Sequence, residues 1–300
     1  MTSPLDDKAG SASIALRRLE AGYLDLPMHL FVQGAPKDEI RRVPSMAWLI
    51  SHGPSKTNLV FDLGIKKDVQ NYPPAVYERM KRLVHADVPQ DVFESLEKGG
   101  LDVQSDINTV IFSHMHYDHT GDPSKFGPGV KFVVGPGAGR FIRGPQSYPE
   151  DPNSPYDSRG FPLDGVLELP DGNDSDYWSP LGPFPAAHDW FGDGSVYLIH
   201  APGHLSRHPN LLVHDEENGW VYLAGDTAHD CALLSGTKNA AMYPDEQTGL
   251  LKCAHEDKEL AEKHMRLVKE LETVISVEVI LAHDSAWLAE NNLRFGIESN

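Results

Sequence analysis

Phe112-Ser113-His114-Met115-His116-Tyr117-Asp118-His119-Thr120-Gly121 is the stretch on which the reading of this chain turns. It leaves a short apolar run, Asp106 to Phe112, that reads as a strand. Side chains two residues apart in a strand or its extended exit point the same way, so His114 and His116 can reach one cation together. Asp118 and His119 then turn toward a second. Neutral imidazole and carboxylate are donors that borderline divalent ions such as zinc accept, and an open coordination position separates a catalytic site from a structural one.

Three later fragments repeat the arrangement of apolar strand followed by a polar donor: Ala201-Pro-Gly-His204, Leu223-Ala-Gly-Asp226 and Ile280-Leu-Ala-His283. Each alone is an ordinary loop residue. Their common order behind the His-rich loop makes a set, because donors at the ends of successive strands converge on one edge of a layered fold.

Outward from this set, the sequence predicts short β-rich runs at Met28 to Gln33, Ser45 to Ile50 and Asn58 to Asp62, then helices over Pro74 to Leu83 and Val88 to Lys98. Strands follow at Lys131 to Val134, Ser195 to His200, Asn210 to Val213 and Gly219 to Ala224. A charged amphipathic helix over Glu256 to Thr273, a strand over Val277 to Ala282 and a short helix over Ala286 to Asn291 end the chain. Between 141 and 190 many Pro, Gly and Asp residues predict a long irregular insertion, a lid or a solvated loop, whose Tyr148, Trp178, Phe184 and Trp190 could line a pocket. Residues 1–12 are small, polar and charged and are expected to be frayed, and 13–300 read as a single domain.

The 300 residues carry 26 Lys+Arg against 44 Asp+Glu, a net charge of −18, with 40% hydrophobic residues. That composition is globular, and the acidity argues against a nucleic-acid partner, whose phosphates call for Lys and Arg. No apolar run approaches the ~20 residues of a membrane helix, and the first residues lack the order of a signal peptide, so a cytoplasmic chain acting on a small molecule is expected. Monomer and homodimer both remain open. Cys231 and Cys253 are too few and too far apart for a disulfide framework or a thiolate zinc cage and read as unpaired thiols.

On these residues the chain resembles the metallo-β-lactamase-fold hydrolases. The HxHxDH, later His, Asp and His pattern is matched by His114, His116, Asp118, His119, His204, Asp226 and His283, and the early Asp-x-Gly element by Asp62-Leu-Gly64. The resemblance spans about residues 45 to 285 and implies an α/β fold, the αββα sandwich, with a dinuclear site at one edge. It further implies that His114, His116 and His204 hold one ion, that Asp118, His119 and His283 hold the other, and that Asp226 bridges them. Two divalent ions are thereby expected, zinc ahead of iron or manganese. Asp62 would be a buried carboxylate that holds the ligand loops through hydrogen bonds.

Departures narrow the branch. The commonest zinc β-lactamases carry Cys at the place of Asp226, flavodiiron proteins carry Glu at that of His116, and glyoxalase II relatives add a basic C-terminal segment where Ser285 to Asn300 holds only Arg294. RNase Z-like nucleases need a basic surface. The best resemblance is to the quorum-quenching lactonases, which share the HxPGH run seen at His200 to His204, and to fungal relatives that open lactam or cyclic carbamate rings such as benzoxazolinone. Lactonases of this kind often place a Tyr three residues after the bridging Asp, where this chain has His229.

The expected chemistry is ring opening of a small cyclic ester or amide, with Asp118 moving the proton and His229 donating to the carbonyl or leaving group. N-acyl homoserine lactone or thioester hydrolysis is the alternative. A non-catalytic metal-binding domain and a mononuclear iron oxygenase of sulfur substrates are the readings from other classes. His200 and His208 are read as supports of His204, and His188, His214, His255 and His264 as surface or helix-face residues.

Overall fold

The computed structural model describes residues 12–245 and 248–296. The expectation for the first twelve residues lies, except for Ala12, outside the described residues. In chain order the first strands are β1 (Ile14–Leu19), β2 (Tyr23–Pro27), β3 (Ile40–Pro44), β4 (Ala47–His52), β5 (Thr57–Phe61), β6 (His85–Asp87), β7 (Thr109–Ile111), β8 (Lys131–Val134) and β9 (Val166–Glu168). They are followed by β10 (Ser179–Leu181), β11 (Phe184–Asp189), β12 (Val196–His200), β13 (Pro209–Asp215), β14 (Gly219–Leu223), β15 (Tyr243–Pro244), β16 (Leu251–Lys252) and β17 (Val277–Ile280). The helices are α1 (Pro74–Leu83), α2 (Val92–Lys98), α3 (Tyr117–Thr120), α4 (Arg140–Arg143), α5 (Cys231–Leu234), α6 (Lys258–Val274) and α7 (Ser285–Asn291).

Two six-stranded mixed sheets dominate, ordered β1-β4-β5-β7-β8-β9 and β10-β11-β12-β13-β14-β17. Their central strands are apolar on both faces because both faces are covered there. Along β12, Val196 and Leu198 enter the layer between the sheets, while Tyr197 and Ile199 face the layer that holds Ala261, Met265, Val268 and Leu271 of α6. In the other sheet, Leu59 and Phe61 of β5 point into the shared layer, and Val60 joins Val92, Phe93 and Leu96 of α2 on the outside. The strict alternation therefore builds an αββα sandwich, as expected from the sequence. Asp91 and Asp257 cap α2 and α6, accepting from Glu94 N and Leu260 N, so each outer helix starts where the sequence supplies a cap.

Three expectations change. Met28 to Gln33 does not form a strand: Met28–Leu30 is a single 3₁₀ turn after Pro27, and the strands nearby, β1 to β3, pair through contacts that local pattern does not report. The stretch 141–190 is not one irregular insertion, since β9 adds to the first sheet and β10 and β11 to the second. Two of its aromatic residues are structural: Trp178 is buried in the inter-sheet layer and Phe184 stacks on Tyr222 beneath α6. Both cysteines are free. No helix among the described residues is long and apolar enough to cross a membrane.

Candidate metal centre

Every donor of the sequence pattern follows the C-terminal end of a strand, Asp118 and His119 in the short α3 and the others on loops. β7 leads to His114, His116, Asp118 and His119, and β12, β14 and β17 lead to His204, Asp226 and His283. The first group comes from one sheet and the last three from the other, so the donors meet across the edge of the sandwich.

The loops are held by a buried scaffold around Asp62, which directly follows β5. Its Oδ1 accepts from Ser113 N at 2.7 Å, and its Oδ2 accepts from Ser113 Oγ at 2.7 Å and faces His119 Nδ1 at 2.8 Å. Asp62 is 1% exposed and has φ of +61°, a left-handed conformation that Asp tolerates better than most residues. The His-rich loop is laced to the β5 exit by Leu63 N donating to His119 O and Gly121 N to Gly64 O. Gly121, at φ of +46°, must be glycine here, for a Cβ would fall 2.6 Å from Leu63 Cβ.

With the outer nitrogens of His283 and His119 engaged, these rings turn the inner ones to a common space. His283 Nδ1 is 2.7 Å from Pro44 O, which leaves Nε2 3.2 Å from Asp226 Oδ1 and 3.6 Å from Asp118 Oδ2. With Nδ1 on Asp62, His119 points Nε2 at Asp226 Oδ1, 3.2 Å away. On the other side His116 Nδ1 lies 2.9 Å from His114 Nε2 and 3.1 Å from His204 Nε2, and Asp226 Oδ2 is 3.7 Å from His114 Nε2 and 3.4 Å from His204 Nε2. Three donor groups result: His114, His116, His204 and Asp226; beside them Asp118, His119 and His283; and, reusing His204, the trio His204, His229 and His255.

The charge state suits a cation. Burial holds His114 and His204 well below the usual imidazole range and His116 down at about 4, so their ring lone pairs are free. Burial also opposes charge on His119 and His283, but Asp226 together with Asp62 at His119 and with Asp118 at His283 outweighs it and raises both; burial would raise Asp226 in turn, yet His119, His283 and His229 hold it well below the carboxylate range. Convergent imidazole nitrogens about 3 Å apart repel unless something positive lies between them, and tetrahedral Zn–N bonds of about 2.0–2.1 Å imply roughly this spacing. His119 Nε2 and Asp226 Oδ1 are moreover buried without a hydrogen bond. These residues fit a divalent ion.

His229 is 6% exposed and turns toward the same carboxylate, with Nε2 3.2 Å from Asp226 Oδ2. His208 is fully buried, and its Nε2 accepts from Asp226 N at 3.2 Å, so it supports the Asp226 turn as well as stacking on His114. Two expectations fail here. His255 is buried against His204 and His229, because Glu256 N and Asp257 N donate to His204 O and Gly203 O and fold its loop inward. Nothing local in the sequence signals that. His264 is also buried, facing Tyr222 Oη at 3.0 Å, and its helical spacing from Ala261, Val268 and Leu271 is a signal that could have found it.

Five of the donors, His116, Asp118, His204, Asp226 and His283, line a cavity of about 340 Å³. Leu26, Leu30, Phe31, Val76, Leu83 and Val84 make an apolar wall, and Arg79, Tyr117, Tyr243 and Lys252 also line it. Of the stretch 141–190 only Pro155 and Tyr156 line this cavity, so Tyr148, Trp178, Phe184 and Trp190 are not pocket residues.

No family model matches the chain. A metallo-hydrolase of Annulohypoxylon moriforme, mfmC, is 31% identical over 274 residues, covering 80% of this chain and 70% of that protein. The chain belongs to the metallo-β-lactamase-fold hydrolases. Within this family it is 33% identical over 176 residues to the gamma-lactamase MBL2 of Gibberella moniliformis, covering 58% of this chain and 71% of that one. The cytochrome P450 monooxygenase mpaDE' of Penicillium brevicompactum is 30% identical over 293 residues, 92% of this chain, and the chain spans only about a third, 34%, of that relative's length. Among solved structures, a mutant of B. thuringiensis AiiA with N-decanoyl-L-homoserine bound at its active site matches with a TM-score of 0.66 at 16% identity, over 93% of this chain and 96% of that one. That likeness is one of fold.

Proposed function

We propose that this chain hydrolyses a small cyclic ester or amide, a lactone, lactam or cyclic carbamate such as benzoxazolinone, at a site for two divalent ions, zinc ahead of iron or manganese. What supports this most is a pair of adjoining donor groups, one holding Asp226 and the other facing it through His119 and His283, beside a cavity with an apolar wall. In this reading His114, His116 and His204 would hold one ion and Asp118, His119 and His283 the other, with Asp226 available to both groups. When bound, such ions supply water acidic enough to deprotonate near pH 7 and a positive charge facing the developing oxyanion.

The chain's own groups carry the rest. Asp118 faces the cavity, and its carboxylate takes the proton of the attacking water and returns it to the leaving oxygen or nitrogen. Asp226 and the rings around it orient the reacting centre. His229 stands on the cavity wall beside Phe31 and donates a hydrogen bond or proton to the leaving group. The apolar wall removes water from a ring bound against it.

Elemental analysis tests the site: protein purified without added metal should hold about two divalent ions per chain, and a value near zero in a folded sample would overturn the dinuclear reading. His229 tests the substrate. Nitrogen leaves poorly unless protonated, so His229→Ala should lower hydrolysis of cyclic amides or carbamates by roughly 10²-fold, the scale of a general-acid contribution, and that of simple lactones by less. Equal losses would remove the reason for preferring an amide. The apolar wall also supports the second reading, in which it receives the acyl chain of a homoserine lactone or thioester. Faster turnover of N-acyl homoserine lactones than of lactams across a substrate panel would favour it.

A further inference from the structure

One group on the cavity wall has no task in the chemistry above. Arg79, on the exposed side of α1, lines the cavity together with His116, Tyr117 and Asp118. Its guanidinium has no hydrogen-bond or ion-pair partner among the described residues, and the adjacent Glu78 is paired with Lys81. The hydroxyls of Tyr117 and Tyr243, two half-buried side chains that line the same cavity, likewise make no hydrogen bond among the described residues. Burial raises both phenols and Arg79 opposes the rise at each, so the guanidinium is within electrostatic reach of both. Lys252 adds a second cation over the Tyr243 ring while its Nζ pairs with Asp245.

The carboxylates of the cavity do not neutralise this group. Glu256 accepts from Ser206 N at 2.6 Å, and Asp118 and Asp226 face the histidines. A planar guanidinium with two free phenol donors is the equipment that takes a carboxylate, through charge-assisted hydrogen bonds that neutral groups do not match. In a chain of net charge −18 the long-range field repels anions, so recognition of one has to be local.

We propose that Arg79, Tyr117 and Tyr243 form an anion-binding subsite at the cavity wall, and that the ring opened here carries a carboxylate on its apolar body. This rests on the ring-opening reading above and gives it a substrate class. Two matched pairs test it with the full-length, metal-loaded protein. Phthalide and 5-carboxyphthalide are compared in turnover. Their ring-opened forms, 2-(hydroxymethyl)benzoate and 2-(hydroxymethyl)benzene-1,4-dicarboxylate, are compared in calorimetric binding.

The wild type should favour the extra carboxylate by about tenfold or more in kcat/KM and in affinity, the scale of a charge-assisted contact. Arg79→Gln should bring both ratios close to one, chiefly by weakening binding of the charged member, and Tyr117→Phe should lower them part of the way, each with metal content unchanged. A wild-type ratio near one, or a ratio that survives in Arg79→Gln, overturns the subsite. If neither lactone opens yet the binding ratio behaves as stated, the ring-opening reading fails and the subsite stands.

Discussion

Asp118→Asn should lower turnover by about 10²–10⁴-fold, the range of a positioned general base, while the fold survives. The substitution keeps shape and an oxygen donor but removes the charge that accepts a proton. Asp118 lies in the first turn of the four-residue α3, with its backbone oxygen accepting from Ser45 Oγ, so the change leaves the loop anchored. Kinetics and metal content measured on the same sample decide the matter. Near-wild-type kcat with full metal would take the proton-carrying role from this residue.

The second large effect is expected at a residue outside the donor set. Asp62→Ala strips three buried donors of their acceptor at once: Ser113 N, Ser113 Oγ and His119 Nδ1. Each buried group left unpaired costs about 1–3 kcal/mol, and groups that orient metal ligands typically change affinity by about 10–100-fold when removed. Denaturant unfolding of Asp62→Ala should therefore show a loss of about 3 kcal/mol or more, and a competing chelator should extract metal more readily. Asp62→Asn, which also tolerates the left-handed backbone and keeps one acceptor oxygen, should recover part of both. Wild-type stability and metal retention in Asp62→Ala would show that the scaffold is held elsewhere.

The donor set was legible because its chemistry is local: four donors within six residues behind an apolar strand, then three more fragments of the same form, all of which the fold brings to one edge. Strands that are near-continuous apolar runs, such as Phe132 to Val134 of β8, Val196 to Ile199 of β12 and Trp220 to Leu223 of β14, were legible for the related reason that both sheet faces are covered. What escaped depends on partners remote in sequence. β1 reads IALRRL, with Arg17 and Arg18 in its second half, and becomes a strand by pairing with β4 over its whole length. β9 and β10 are three residues each and take their conformation from the edges they extend. His255 is carried inward by backbone hydrogen bonds that its neighbours make to the His204 loop, an event with no counterpart in composition or period. Trp178 and Phe184 mark core packing, which composition alone does not distinguish from a pocket lining.

The division of the donors between the two sheets has a thermodynamic consequence. On the proposed reading, a cation held by His116 and His204, or by Asp118 and His283, would clasp two halves that otherwise adhere through a greasy interlayer. Occupancy then contributes to cohesion as RT ln(1 + [M]/Kd), about 4 kcal/mol when free metal stands a thousandfold above its dissociation constant. Scarcity of metal would thus loosen the molecule along the same seam at which it works, coupling the lifetime of the protein to the ion supply of its surroundings.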